Sequence, residues 1–221
     1  MRKIPRKIFN LVFFIFIFSH LSAQPQKQQL MNPGQYLFSE FSKGGVAMKG
    51  GKDLNLILNY NIVTGKMVFM QKGDIYDMTN YSGVDTVYIS GHRFIPVGEV
   101  FYEVVIEGKF PLYIQHSGKV QSPPKPAAYG GTSEVSSASY INNISLGNDV
   151  YRLKNDPEVR IKADKTYYTL MGGEWVIIRS MKNLAKLAGL ETDAFLKYIK
   201  EKNLKFENPA DVIAAAEYCN R

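Results

Sequence analysis

VDTVYISGHRFIPVGEVFYEVVIEGKFPLYIQH, residues 84–116, holds four runs of β-branched and aromatic residues separated by Ser90-Gly91-His92, Gly98 and Glu107-Gly108-Lys109. Such residues fit a pleated, half-buried surface, and glycine turns at this spacing mark hairpins. The runs predict strands over 84–89, 93–97, 99–106 and 110–116, with His92 in a tight turn and His116 at a strand end. Strand side chains alternate, so Val100, Tyr102, Val104 and Ile106 share one face. Glu99, Phe101, Glu103 and Val105 share the other. Pro96 and Pro111 lack an amide donor and belong at edges, strand ends or bulges.

The same period of two extends upstream. Leu54, Leu56, Leu58 and Tyr60 alternate with Asn55, Ile57 and Asn59, which predicts a strand with one buried face. A turn around Gly50-Gly51-Lys52 pairs it with 46–48, setting Met48 against Leu54 and Val46 against Leu56. A symmetric five-residue loop over 61–65 sets Leu58 against Val68 and Leu56 against Met70. Downstream, Gly172-Gly173 joins strands 166–171 and 174–179, with Leu170 opposite Trp175 and Tyr168 opposite Ile177.

Three helices close the chain. Ser180 caps a helix over 181–188 that Gly189 ends. The second, over 193–202, buries Phe195, Tyr198 and Ile199. Asn208-Pro209 opens the third, with Asp211 at its positive end and an apolar face of Val212, Ile213, Ala216 and Cys219. The fold class is therefore α+β, mainly antiparallel β (a meander, barrel-like or sandwich) with a C-terminal helical segment.

Residues 1–23 read as a secretory signal peptide. Arg2, Lys3, Arg6 and Lys7 precede an apolar run over 8–18, and Leu21-Ser22-Ala23 supplies a small-residue cleavage site near Ala23. The run is shorter than the roughly 20 residues that span a bilayer. The organisation expected is a signal at 1–23, a flexible leader at 24–35 and a β-rich domain at 36–116. A Pro/Gly/Ser-rich loop follows at 117–149, then a hairpin with three short helices at 150–221. The whole chain has 27 basic and 20 acidic residues; without the four basic residues of the signal the excess is +3. An excess that small, without a clustered patch, argues against nucleic acid as a partner.

Catalytic signatures are sparse. After the signal, only His92 and His116 remain as histidines, and Cys219 is the single cysteine. One cysteine rules out an internal disulfide, and Cys219 reads as a small apolar residue on the last helix. Asp74 and Asp77 are too few for a calcium site and read as a polar turn and strand end. No metal motif or cofactor motif occurs, and no cofactor is expected. Glu99 and Glu103 lie about 13 Å apart along one strand, beyond the reach of a paired-carboxylate glycosidase site, and are expected on a solvated face. The loop Tyr129-Gly130-Gly131-Thr132-Ser133 offers amides and hydroxyls without the lysine of a phosphate loop. The stretch 183–199 has a helix-turn-helix outline. Export and the acidic Glu191 and Asp193 at the second helix start argue against DNA binding. His92, His116, Tyr129 and Ser133 are the candidate ligand contacts, and an exposed subset of the fourteen tyrosines suits glycan or peptide.

The strings GQYLFSEFSKG (34–44), LNYNIVTGKMVFMQKG (58–73), the first twenty-two residues of the opening stretch, PPKPAAYGGTSEVSSAS (123–139) and FLKYIKEKNLKFENPADVIAAAEY (195–218) resemble a group of uncharacterised exported proteins of Bacteroidota-type bacteria. The resemblance covers about residues 34–219. It implies a bacterial envelope location, periplasmic or secreted, and carries no activity, cofactor or catalytic residue. The leading expectation is a non-enzymatic binding or structural protein whose partner is an envelope protein, a peptide or a glycan, with no transmembrane span after signal cleavage. The alternative is an envelope hydrolase assembled between the sheets and the 117–149 loop, with His92, His116, Glu103 and Ser133 as its residues.

Overall fold

The computed structural model describes residues 33–121 and 160–221. The signal at 1–23, Tyr129, Ser133 and the loop from 122 on lie outside the described residues. Ten strands form one antiparallel sheet: β1 (Ser42–Met48), β2 (Leu54–Asn61), β3 (Lys66–Gln71), β4 (Asp74–Asp77), β5 (Val84–Ile89), β6 (His92–Val97), β7 (Val100–Ile106), β8 (Leu112–Gln121), β9 (Arg160–Met171) and β10 (Glu174–Ile178). Their spatial order is β10-β9-β8-β7-β6-β5-β1-β2-β3-β4. Helices α1 (Met181–Leu187), α2 (Thr192–Glu201) and α3 (Pro209–Tyr218) follow. The mixed fold with its antiparallel sheet and C-terminal helices is the class that the periodicity predicts.

Two-residue turns set several registers. Gly172 and Gly173 take positive φ, and Leu170↔Trp175 and Tyr168↔Ile177 pair as the sequence reading has them. Ser90 (φ 51°) and Gly91 (φ 80°) form a second such turn, which moves His92 out of the turn and into β6, opposite Ile89. A third, Lys72-Gly73, makes Asp74–Asp77 the edge strand β4 in place of a polar turn. His116 lies inside β8, not at its end, because β8 continues to Gln121 against the charged first half of β9. That pairing joins the 36–116 and 150–221 parts in one sheet.

Two expected registers shift. Val46 pairs with Leu54 and Gly44 with Leu56, a slip of two residues that keeps the faces, because residues 47–53 make a wider loop while Met48 pairs with Val84 of β5. Leu58 pairs with Phe69 and Ile57 with Met70, a slip of one. The cause is Asn61, which stays in β2 opposite Lys66. Its side chain accepts from the amides of Val63 and Thr64, so the loop holds four residues. At the chain's start, Pro33–Gln35 form a 3-10 turn with Gln35 buried, so the folded body begins before Tyr36. Asn59 then clamps the next segment: its amide donates to the carbonyls of Phe38 and Glu40 and accepts from the Phe38 N–H.

The helices begin and end by ordinary capping. Ser180 Oγ accepts from Asn183 N–H, Glu191 from Asp193 and Ala194, and Asn208 from Ala210. Their apolar faces, with Leu184, Phe195, Val212 and Ala216 fully buried, cover Leu112, Ile114, Tyr167 and Ile178 of the sheet. Asn220 locks α3 to the β7–β8 turn through bonds to both the N–H and the carbonyl of Phe110. Cys219 is buried at the end of α3 and donates to the Ala215 carbonyl.

A second core forms where the sheet curls over itself. Leu58 and Tyr60 of β2 and Met67 of β3 meet Val87, Ile89, Phe94 and Phe101 of β5, β6 and β7. The sheet splits to admit them. Pairing between β7 and β8 stops at Glu103↔Ile114. Beyond it the buried Tyr60 hydroxyl donates to the carbonyls of both strands, Phe101 (3.1 Å) and His116 (3.0 Å). The Phe101 N–H donates to the Gly65 carbonyl of the β2–β3 turn at 2.9 Å. Gly118 of β8 is required here, since a Cβ would sit 2.8 Å from Ile62 and 2.9 Å from Ile161.

Candidate functional site

The fork between β7 and β8 carries the polar groups that the sequence singles out. Phe101 belongs to the curled core and Val105 packs against the helical one, so Glu103 between them stands at the seam. On β8, Ile114 belongs to the helical core and His116 follows at the same seam. The face expected to carry solvated glutamates is therefore the inward face at Glu103, whose side chain is 12% exposed. Its Oε2 lies 2.5 Å from His116 Nε2 and its Oε1 2.5 Å from His92 Nδ1. Burial raises the Glu103 carboxyl, but the hydrogen bonds from His116 and His92 outweigh it and leave the group below the ordinary carboxylate value. Neutral imidazoles suffice for both bonds, with the proton on Nε2 of His116 and Nδ1 of His92. Tyr60 supports the arrangement from beneath, its ring edge-on to His116 and stacked on Phe94.

Three of the four residues named for a hydrolase are thus together, while Ser133 lies outside the described residues. The two histidine residues border different spaces. His116, 6% exposed, lines a cavity of about 700 Å³ with Tyr36, Ile62, Ser117 and Lys162. His92, 45% exposed, lines another with the β5–β6 turn. Among the described residues neither ring bonds to a serine, threonine or cysteine, and no group of three or more metal-ligating side chains is placed to hold an ion. The cluster can orient two imidazoles and leaves one nitrogen on each as a base.

The space beside His92 is a groove of about 960 Å³ across β1, β2, β3, β5 and β6. Cross-strand pairing builds its floor. Gly45 sits between Tyr88 of β5 and Asn55 of β2, Tyr88 pairs with Arg93 of β6, and Lys43 pairs with Ile57, which pairs with Met70. These residues share the face turned away from the core. Nothing lies within 4 Å of where a Gly45 Cβ would stand, so bare backbone is exposed there. Tyr88 is 50% exposed and Ile57 42%. Lys43 and Arg93 are the ionisable side chains on this face, with no carboxylate lining the groove; Gln71 and His92 border it at the ends of β3 and β6, where alternation turns their side chains to the face opposite Met70 and Arg93. The Arg93 Nη2 is 2.6 Å from Glu107 Oε1, which lies outside the groove.

Sequence reasoning names only His92 of this groove. Its other members come from four strands, and the pairing of Gly45 with Tyr88 joins segments far apart in sequence. The one local signal is the alternation of 84–89, which turns Tyr88 away from the buried Val87 and Ile89. Farther along the same face Tyr102, Tyr113, Tyr168 and Trp175 pack on one another, Tyr102 stacked on Tyr168 at 4.7 Å and both Tyr102 and Tyr113 edge-on to Trp175. Tyr102, in this cluster, is buried, so packing absorbs rings that composition alone leaves free for ligands.

Among the described residues no helix is long and apolar enough to cross a membrane. No family model, curated protein or solved structure matches the chain.

Proposed function

We propose that the protein is an exported, non-enzymatic binding protein of the bacterial cell envelope, and that its ligand occupies the groove over Gly45. The groove carries this reading: it joins an exposed aromatic ring, open backbone and several side-chain hydrogen-bonding groups in one concave space. A few polar groups converging on an apolar-lined cleft are the usual makings of a ligand site. The export half rests on the basic, apolar and small-residue tripartite pattern of residues 1–23. Fractionation of producing cells with N-terminal sequencing tests it; a mature start at Gln24 in the periplasm or medium supports export, and a cytosolic chain with intact Met1 refutes it. Thermal melts of wild type and Gly45→Val against fractionated envelope glycans and peptides test the binding half. Stabilisation of wild type alone supports it, and equal or no stabilisation of both refutes it.

The hydrolase reading has one observation in its favour, the Glu103–His116 bond beside a cavity. It predicts turnover of an envelope ester, amide or glycoside that His116→Ala abolishes; absence of turnover across such substrates removes it.

A further inference from the structure

The lining of the groove specifies a ligand chemistry. Tyr88 presents a half-exposed ring beside the bare backbone of Gly45, so a flat, partly apolar ring can lie against both. Asn55 offers a donor and an acceptor, which matches a hydroxyl group. Lys43 is exposed and, among the described residues, has no carboxylate within ion-pair distance. Arg93 gives one contact to Glu107 and has five N–H donors, so part of its fork remains available. With no Asp or Glu in the lining, the groove favours a negative group. An extended peptide gains affinity by adding to a free sheet edge. Here β1 pairs with β2 and β5 on its two sides, so the floor has no free edge to offer. The volume, about 960 Å³, is at the upper end for small-molecule sites and suits several linked rings.

Taking the groove as a ligand site, as above, we infer that it binds an acidic saccharide, a glycan bearing carboxylates, with Tyr88 stacking on a sugar ring, Lys43 and Arg93 meeting the carboxylate, and Asn55 reading a hydroxyl. Isothermal titration of the purified protein tests this with three probes: oligogalacturonate, a neutral cello-oligosaccharide and poly-glutamate. The expected result is binding of oligogalacturonate alone, weakened by salt. Lys43→Gln and Arg93→Gln should each weaken it about tenfold, the loss of one charge-assisted bond in a wet groove. Gly45→Val should abolish it, since the valine side chain fills the floor where a Cβ meets nothing. Thermal melts of the three variants matching wild type separate lost binding from lost folding. Binding of the neutral glycan or of poly-glutamate that Gly45→Val removes would overturn the acidic-saccharide assignment while leaving the groove a ligand site. Failure of all three probes, or oligogalacturonate binding indifferent to Lys43, Arg93 and Gly45, also overturns it; the envelope-fraction melts then decide the broader reading independently.

Discussion

Replacing Glu103 by leucine removes the carboxylate that holds His92 and His116 while roughly keeping its volume. The bond to His116 is buried, and a hydrogen bond to a charged acceptor contributes about 1.5–3 kcal/mol. His92 is half exposed, so its bond adds under about 1 kcal/mol after solvent screening. His116 is then stranded at the seam. The expected loss is about 3 kcal/mol, which for a chain of this size lowers the melting temperature by roughly 6–12 °C. Glu103→Gln keeps one acceptor oxygen and should lose about half as much. The pH dependence has a definite sign. The folded Glu103 carboxyl is held below its ordinary value, so its stabilisation is full above about pH 4.3, the unfolded glutamate value, and disappears as pH falls through the lower folded value. The gap between wild type and Glu103→Gln should therefore close as pH falls through the folded carboxyl value in acid. His92→Ala, as control, should cost under about 1 kcal/mol. Thermal melts across pH read all four proteins. A leucine variant melting within 2 °C of wild type, or a glutamine gap that persists in strong acid, would refute the reasoning that this carboxylate stabilises the seam.

Tyr60→Phe removes the hydroxyl that donates to the Phe101 and His116 carbonyls; a cost of about 1–3 kcal/mol is expected, with faster amide exchange at Phe101, and an unchanged melt would show that the fork closes without it. The adjacent glycines of β1 should part company. Gly44→Ala puts a Cβ 2.5 Å from the Tyr88 carbonyl and 2.7 Å from Leu58 and should cost roughly 1–3 kcal/mol. Gly45→Ala meets nothing and should stay within about 0.5 kcal/mol in a denaturant titration, so equal effects would contradict the assignment of the two faces. Burial pushes the Cys219 thiol up to about 11, so native protein in mildly alkaline buffer should resist iodoacetamide that labels the unfolded chain; rapid native labelling would place Cys219 at the surface.

Much of the fold is legible wherever the determining signal is local. Gly172-Gly173 dictates its hairpin because both positions need positive φ, and Ser180 and Asn208 start helices through side chains that cap amides two or three residues on. Registers fail where a side chain competes with the turn. Asn61 shortens its loop by bonding the Val63 and Thr64 amides, which alternation of apolar residues does not encode. The strand over 160–165 is missed because its charges dominate and Ile161 is its one residue packed on a core. The inward setting of Glu103 is missed for a different reason. Its neighbours Phe101 and Val105 share its face, but two separate cores cover them, and only the fork between β7 and β8 leaves the carboxylate a polar place between. The groove is hidden further, since every contact across its floor is between strands.

The claim that matters most is that ligand binds on the outer face over Gly45. Backbone amide shifts of ¹⁵N-labelled protein titrated with oligogalacturonate test it directly. Saturable changes centred on Gly45, Asn55, Tyr88 and Arg93 are expected, with the Ser117 and Lys162 amides beside the His116 cavity unmoved. Shifts centred on that second cavity, or none at all, would contradict it.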